Sequence, residues 1–211
     1  MRLGSGRIEV ELHELAPGQG SALLLLHALY GSSEDWGEGF SSWPGPVYGL
    51  DFAGHGTSQW LKGGAYTPEI LAVDVDSALR HLGSATLVGA GLGAYVALLV
   101  AAARADVVPA AMLLDGAGLS GGGPQPDFDA TPRSFVERAV PRDDCDPMLC
   151  FLEIDVRPPD YAAAFARRAN GLILVDDGSP RPPWWEASRA HSGTRVLPRA
   201  DAGLAALRDR A

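Results

Sequence analysis

The feature that most constrains this chain is residues 85–104, where an apolar run, a glycine-rich turn and a helix-forming run follow one another. Residues 85–88 are apolar and predict a short buried strand. Residues 94–104 are rich in Ala and Leu, which favour a helix. Such a strand, tight turn and helix hold the nucleophile in one class of enzymes, at the middle position of a Gly-x-x-x-Gly turn. Here Gly91 occupies that position, so the predicted turn carries no nucleophilic side chain.

A dinucleotide-binding loop is the alternative interpretation of this turn. Its fingerprint is G-x-G-x-x-G, it opens the first strand–helix unit of a chain, and an acidic residue follows about 20 residues later. Gly89, Gly91 and Gly93 have a different spacing and lie in the middle of the chain, and residues 108–113 contain no acid. The pattern therefore disfavours a dinucleotide site.

Length and charge narrow the possible functions further. A chain of 211 residues is most simply one domain with a substantial core. A net charge of −9 disfavours nucleic acid as a partner. Residues 1–10 show no secretory signal and the apolar run 92–103 is too short to span a bilayer, so we expect no membrane association.

The cysteines and the other candidate ligands point away from metal chemistry. Cys145 and Cys150 are the only cysteines, and they lack metal-ligand spacing. With no secretory context, they predict reduced thiols and a cytoplasmic location. We expect neither a metal ion nor another cofactor.

The order of the predicted elements indicates the α/β class. Helix 68–82 has Thr67 as its N-cap, Pro68 at its first position and Gly83 at its end. Alternating strands and helices predict a mostly parallel sheet with helices on both faces, and ligands bind at the carboxyl ends of such strands. An edge strand is predicted over residues 7–15, and core strands are predicted over residues 22–26, 47–50, 85–88, 107–114, 172–175 and 194–197.

The character of the chain changes between the predicted strands 107–114 and 172–175. Residues 117–170 open with Gly121, Gly122 and Gly123 and contain several prolines. They predict a short cap with helices over residues 131–140 and 159–169. The core is accordingly assigned to residues 1–116 and 171–211, and the reduced cap to residues 117–170. A helix around residues 184–190 and a terminal segment over residues 200–211 complete the core.

Four motifs together resemble the α/β-hydrolase superfamily over nearly the whole chain. They are LLLLHALYGSSEDW, YGLDFAGHGTS, LVGAGLGAYVAL and AAMLLDG, in the expected order and at the expected spacing. The resemblance implies an α/β-hydrolase fold with a Ser–His–Asp triad in the order nucleophile, acid, histidine. It also implies an oxyanion hole made of two backbone N–H groups.

Carried over by position, the triad lacks the expected side chains. The nucleophile position is Gly91, and the histidine position in Leu-Pro-x-Ala-x-His is Ala202. The acid position falls on Asp176, Asp177 or Gly178, and Asp115 is the position that some family members use instead. Losing the nucleophile or the histidine from such a unit costs on the order of a millionfold in turnover.

The oxyanion hole, unlike the triad, is expected to be retained, because its donors are main-chain N–H groups that do not depend on the side chain. The resemblance places these N–H groups on Leu29 and Leu92, with His27 bonded to nearby backbone to shape the loop. Ser32 and Ser33 are predicted helix caps that could also be a displaced nucleophile. His191 is the only histidine in the C-terminal part and could replace the one that is missing.

These features predict a degenerate α/β-hydrolase that binds a small apolar or ester-like ligand, or a protein partner, without hydrolysis. One alternative is an active enzyme of this fold, esterase-like or a cofactor-free lyase or isomerase, that uses the oxyanion donors with His27 or Asp115. A second alternative is a non-catalytic subunit paired with an active relative. A third is that the two positions were changed deliberately in an esterase-like hydrolase.

Overall fold

The structure, a computed structural model, describes residues 1–63, 65–119, 144–153, 155–176, 178 and 181–209. The strands are β1 Arg2–Ser5, β2 Ile8–Ala16, β3 Ala22–Leu26, β4 Val47–Asp51, β5 Ala85–Ala90, β6 Ala111–Leu114, β7 Leu172–Val175 and β8 Thr194–Leu197. The helices are α1 Pro68–Leu82, α2 Leu92–Ala103, α3 Pro159–Ala166, α4 Pro183–Arg189 and α5 Ala200–Arg208. Two short 3-10 helices span Ser33–Trp36 and Pro147–Leu152.

The eight described strands form one sheet in the order β1-β2-β4-β3-β5-β6-β7-β8. β1, β2 and β4 pair antiparallel, whereas all pairs from β4 through β8 are parallel. Because these strands are parallel, the carboxyl ends of β3, β4, β5 and β6 lie at the same edge of the sheet. The predicted mostly parallel sheet is confirmed.

Helices cover both faces of the sheet, as the continuous apolar strands predict. In β3, Leu24 packs in one hydrophobic cluster with the buried side of α1, whereas Leu23 packs in a second cluster with Leu204 and Leu207 of α5. Alternate side chains of a strand point to opposite faces, so a strand with both faces covered must be apolar throughout.

Helix α1 begins and ends where its caps predict. The hydroxyl of Thr67 accepts a hydrogen bond from the N–H of Ile70, Pro68 is the first helical residue, and Gly83 is the C-cap. The helix buries Leu71 and Val75 against the sheet. The helix prediction over residues 68–82 is confirmed.

Several predicted boundaries are wrong. β2 is not an edge strand, because residues before Gly6 turn back and pair with it as β1. The strand predicted to start at Val107 starts at Ala111, because the N–H groups of Val107 and Val108 bond to the carbonyl of Arg104 and Pro109 has no N–H. α2 begins two residues earlier than predicted, at Leu92, and α3 ends at Ala166 rather than residue 169.

The described part of the predicted cap packs on the core. Leu149 and Leu152 of the second 3-10 helix, and Ala162 and Ala166 of α3, belong to the same hydrophobic cluster as α2. The predicted helix over residues 131–140 lies outside the described residues. The division into core and cap stays a prediction.

Candidate functional site

The turn between β5 and α2 keeps the backbone geometry that the sequence predicts. Gly91 is the N-cap of α2 with φ 52° and ψ −114°. A positive φ is costly for residues with a Cβ and readily adopted by glycine. The N–H of Gly91 bonds to the carbonyl of Leu114 at 3.1 Å, which ties the turn to the end of β6. Gly91 therefore lies where the carboxyl ends of two central strands meet.

The β6 loop (residues 115–119) fills the space beside Gly91. A Cβ built on Gly91 would lie 2.2 Å from the carbonyl oxygen of Ala117 and 2.5 Å from the carbonyl carbon of Gly116. Both are backbone atoms, so a side chain at this position requires the β6 loop to move. The position that the resemblance assigns to a nucleophile therefore has no side chain, and the β6 loop leaves no space for one.

The same loop occupies the predicted oxyanion hole. The N–H groups of Leu29 and Leu92 converge on one point, as the sequence predicts, and both donate to the carbonyl oxygen of Ala117, at 3.0 and 2.9 Å. An oxyanion hole stabilises charge only when its donors are available to the oxygen of the reacting group. In this conformation both donors have an internal acceptor.

Both ring nitrogens of His27 form hydrogen bonds with the surrounding backbone. The side chain is 1% exposed, and its Nε2 accepts the N–H of Phe52 at 3.1 Å. Nδ1 therefore carries the proton and donates it to the carbonyl of Ala28, at 2.8 Å. The ring also packs on His55, 4.8 Å between centroids. His27 shapes the loop that carries the Leu29 N–H, in the structural role that the sequence favours.

His55 is equally buried and lies beside His27. Its Nδ1 is 3.2 Å from the carbonyl oxygen of Ala53. Burial, with an added contribution from the neighbouring His27, lowers the pKa of His55 well below its usual value. His55 is thus a neutral packing residue of the turn after β4.

The candidate acids do not converge with Gly91 on a catalytic arrangement. Asp115 follows β6, and its largely exposed carboxylate pairs with the guanidinium of Arg181, which is 3% exposed. Asp176 is bonded to Arg189 at 3.3 Å and accepts the N–H of Gly178. Asp177 lies outside the described residues. The described carboxylates therefore neutralise arginines or hold turns.

Ala202 lies in the first turn of α5 on its exposed side. The next residue, Gly203, packs so closely on the sheet that a Cβ there would lie 2.2 Å from the Sδ of Met112. Ala202 consequently faces away from the sheet. The structure does not bring the predicted histidine position to the cavity at Gly91.

A cavity of about 330 Å³ lies beside Gly91. It sits at the carboxyl ends of β5 and β6, where a parallel sheet is expected to bind ligands. Trp184 and Trp185 are each 2% exposed, as expected for the packing residues that the sequence predicts. They also line the cavity, and no signal in the sequence indicated this second role. The lining residues are Gly91, Leu114, Asp115, Gly116, Gly118, Leu119, Pro182, Trp184 and Trp185.

Two buried carboxylates hold the neighbouring turn after β4. Asp51 accepts the N–H groups of Ser33 and Thr57, at 2.7 and 2.9 Å. Burial alone would raise the pKa of Asp51, but the hydrogen bonds from Thr57 and Ser33 outweigh it and lower the pKa from 3.8 to about 2. Asp74 of α1 accepts the N–H of Ala53 at 2.9 Å and the hydroxyl of Ser5. Burial raises the pKa of Asp74 from 3.8 to about 6.

Of the two predicted helix caps, Ser32 is confirmed and Ser33 is instead the first residue of the short helix. Ser32 is the N-cap of Ser33–Trp36, and its hydroxyl accepts the N–H of Glu34 at 3.3 Å. Neither Ser32 nor Ser33 lines the cavity at Gly91. His191 is partly exposed at the end of α4 and accepts the N–H of Gly193.

The chain matches the alpha/beta hydrolase family over residues 23–210. It belongs to this family. Over 100 residues it is 29% identical to an esterase of Mycobacterium tuberculosis, an alignment that covers 46% of this chain and 34% of the esterase. The match therefore spans about a third of the length of that relative.

Solved structures show the same fold over the full chain. A hydrolase of Pseudomonas aeruginosa is similar with a TM-score of 0.74 at 17% identity, covering 100% of this chain and 98% of the hydrolase. The N-formylmaleamic acid deformylase of Pseudomonas putida is similar with a TM-score of 0.70 at 17% identity, covering 93% and 90%. At these identities the similarity shows the fold.

The described residues include neither a membrane-spanning helix nor a cluster of metal ligands. In that part of the chain no helix combines the length and the apolar character needed to cross a bilayer. The same residues contain no group of three or more His, Cys, Asp or Glu side chains arranged to hold a metal ion.

Proposed function

We propose that this member of the alpha/beta hydrolase family does not hydrolyse esters and instead binds a small, mostly apolar molecule in the cavity beside Gly91. The observation that carries the proposal is the carbonyl of Ala117, which accepts both N–H groups of the predicted oxyanion hole. Gly91 and Ala202, at the positions that the resemblance assigns to the nucleophile and the base, supply neither, and both predicted oxyanion donors have an internal acceptor.

The lining of the cavity supports the class of ligand. Leu114, Leu119, Pro182 and two indole rings supply apolar surface, and Asp115 with the glycine backbone around it supplies polar groups. Small-molecule sites are commonly apolar clefts of roughly 300–1,000 Å³ with a few polar groups. A volume of about 330 Å³ suits a molecule of one ring better than a protein segment.

An active enzyme of unconventional mechanism is less well supported by the geometry. Both ring nitrogens of His27 are engaged with the backbone, and Asp115 pairs with Arg181. A general base needs a free acceptor within hydrogen-bond reach of the proton that it removes. His27 offers none in this conformation, and the exposed carboxylate of Asp115 has no nucleophilic side chain at Gly91 to activate.

The first experiment measures hydrolysis of p-nitrophenyl acetate and butyrate. We expect the native chain to match a heat-inactivated sample, and the Gly91→Ser/Ala202→His variant to remain inactive because the β6 loop blocks the new hydroxyl. Hydrolysis by the native chain above the control would refute the proposal. Activity in the double variant alone would show that the β6 loop moves aside readily.

The second experiment measures ligand binding by thermal shift with methyl benzoate and indole. We expect both compounds to raise the melting temperature of the native chain. Leu114→Trp should abolish the shift by filling the cavity, whereas Leu15→Trp, which lines a different cavity, should preserve it. An unchanged native melting temperature, or an equal shift in both variants, would contradict binding at this cavity.

A further inference from the structure

A second cavity of about 890 Å³ lies between the β1–β2 turn and the chain that follows β4. We call it the β1 groove, and the residues that matter for its chemistry are Arg7, Trp60, Lys62 and Asp146. It shares no lining residue with the cavity at Gly91. The catalytic positions of the family therefore do not account for it.

Two cations line the β1 groove, and neither has a partner among the described residues. Arg7 lies in the β1–β2 turn and Lys62 follows β4, and both side chains are exposed. Neither forms an ion pair or a hydrogen bond with another described residue, whereas Arg2, Arg80, Arg104, Arg157, Arg181, Arg189 and Arg199 all pair with carboxylates. In a chain with 26 acidic and 17 basic residues, two cations left unpaired in one groove are available to an anion.

An aromatic surface accompanies these cations. Trp60 also lines the β1 groove and is 44% exposed. An exposed indole face can stack on a planar ring. The contact favours binding because it removes the apolar surfaces of both rings from water. The groove thus combines positive charge with a stacking surface.

The wall of the β1 groove is held in place by hydrogen bonds. The N–H of Gln59 donates to the carbonyl of Glu9, and the Gln59 side chain accepts the N–H of Glu9, both at 3.0 Å. The N–H of Leu61 donates to the hydroxyl of Tyr66 at 2.9 Å. A site held in position before binding loses less entropy when its ligand arrives.

The carboxylate in the groove wall is already engaged. Asp146 is 6% exposed, and it accepts the hydroxyl of Tyr66 at 2.7 Å and the N–H of Met148 at 2.9 Å. These internal bonds use both of its oxygens, so the groove presents Arg7 and Lys62 more openly than it presents this acid.

We propose that the β1 groove binds a small aromatic anion, with its ring on Trp60 and its phosphate or carboxylate on Arg7 and Lys62. The groove volume lies within the range of small-molecule sites, roughly 300–1,000 Å³. This site is independent of the proposed function, because it involves a different cavity and a charged ligand.

Isothermal titration of the full chain with phenyl phosphate, benzoate, phenol and inorganic phosphate separates the two contributions. We expect phenyl phosphate or benzoate to bind, and phenol and inorganic phosphate to bind at least about tenfold more weakly, because each lacks one of the two contacts. The stronger of the two anions identifies the acidic group. Equal binding of phenol, or of inorganic phosphate, would overturn the proposal.

Variants locate the site. Arg7→Gln and Lys62→Gln should each weaken binding about three- to fivefold because both charges are exposed, and Trp60→Ala about tenfold. Arg195→Gln is the matched charge control, since Arg195 is exposed and unpaired among the described residues but lies on β8 at the opposite end of the sheet. Tyr161→Ala is the aromatic control.

Loss of binding in the three groove variants, with the controls unchanged, would support the site. No binding of either aromatic anion to the native chain at millimolar concentration would refute it, as would equal losses in Arg195→Gln and Arg7→Gln. Circular dichroism of every variant distinguishes lost binding from lost structure.

Discussion

The turns after β4 and after β5 flank the turn after β3 at the same edge of the sheet, yet they are held in different ways. The turn after β4 depends on the buried carboxylates of Asp51 and Asp74, which accept backbone N–H groups of Ser33, Thr57 and Ala53. The turn after β5 has no side chain at Gly91, and backbone hydrogen bonds tie it to Leu114 at the end of β6 and to Ala117 in the β6 loop.

The two turns show that losing a structural side chain and losing a catalytic one have different costs. Removing a buried carboxylate that bonds backbone N–H groups leaves those groups unsatisfied, which costs stability. Removing a nucleophile costs activity only, and a glycine even relieves the strain that the turn imposes on other residues. The buried carboxylates that hold the turn after β4 are therefore present here, while the positions that the resemblance assigns to the chemistry hold Gly91 and Ala202.

The largest expected effect tests the turn after β5. Gly91→Ala should lower the free energy of unfolding by about 3 kcal/mol or more, because its Cβ meets the Ala117 carbonyl in addition to the cost of a positive φ. Gly83→Ala is the matched control, since Gly83 also has a positive φ but open space around its Cβ. It should cost about 1 kcal/mol. Equal losses in urea denaturation would show that the β6 loop does not close the site.

The next largest effect tests the turn after β4. Asp51→Asn should cost about 2–3 kcal/mol at pH 7, because its amide cannot accept every N–H and hydroxyl that Asp51 accepts. The lowered pKa of Asp51 means that its stabilising contribution is present above about pH 4 and is lost as the pH falls towards 2. The cost of the substitution should therefore shrink in acid.

Urea denaturation between pH 3 and pH 7 measures this cost. Asp106→Asn is the control, because Asp106 is an exposed partner of Arg104 and should change the stability by less than about 0.5 kcal/mol. A cost for Asp51→Asn that does not vary with pH would contradict the charge-dependent role of Asp51.

The smallest effect concerns Asp74, which holds the same turn from α1. Its pKa is raised above the unfolded value, so its stabilising contribution is complete below about pH 4 and is lost as the pH rises through about 6. The native chain should gain about 1 kcal/mol between pH 7 and pH 5 from this group. Asp74→Asn should remove that gain.

The free energy of unfolding at pH 5 and pH 7 for the native chain and for Asp74→Asn provides the test. Asp160→Asn, at an exposed position in α3, should behave as the native chain does. If Asp74→Asn keeps the full difference between the two pH values, another group is responsible for it.

Much of the fold follows from local patterns. The continuous apolar runs of β3 and β5 identify strands covered on both faces, and the Thr67, Pro68 and Gly83 signals define α1 to the residue. The errors fall where local signals are weak. β1 has only four residues and gains its identity by pairing with β2, and the start of β6 depends on which N–H groups the carbonyl of Arg104 accepts.

The sequence by itself determined the sheet class, the turn at Gly91 and the two N–H groups that point into it, because each depends on residues close together in the chain. Only the tertiary structure decided what those N–H groups bind. Leu29 and Ala117 lie in two separate loops and Leu92 begins α2, and their meeting depends on how the parallel strands align. No local pattern specifies which carbonyl reaches the donors, since every residue carries one.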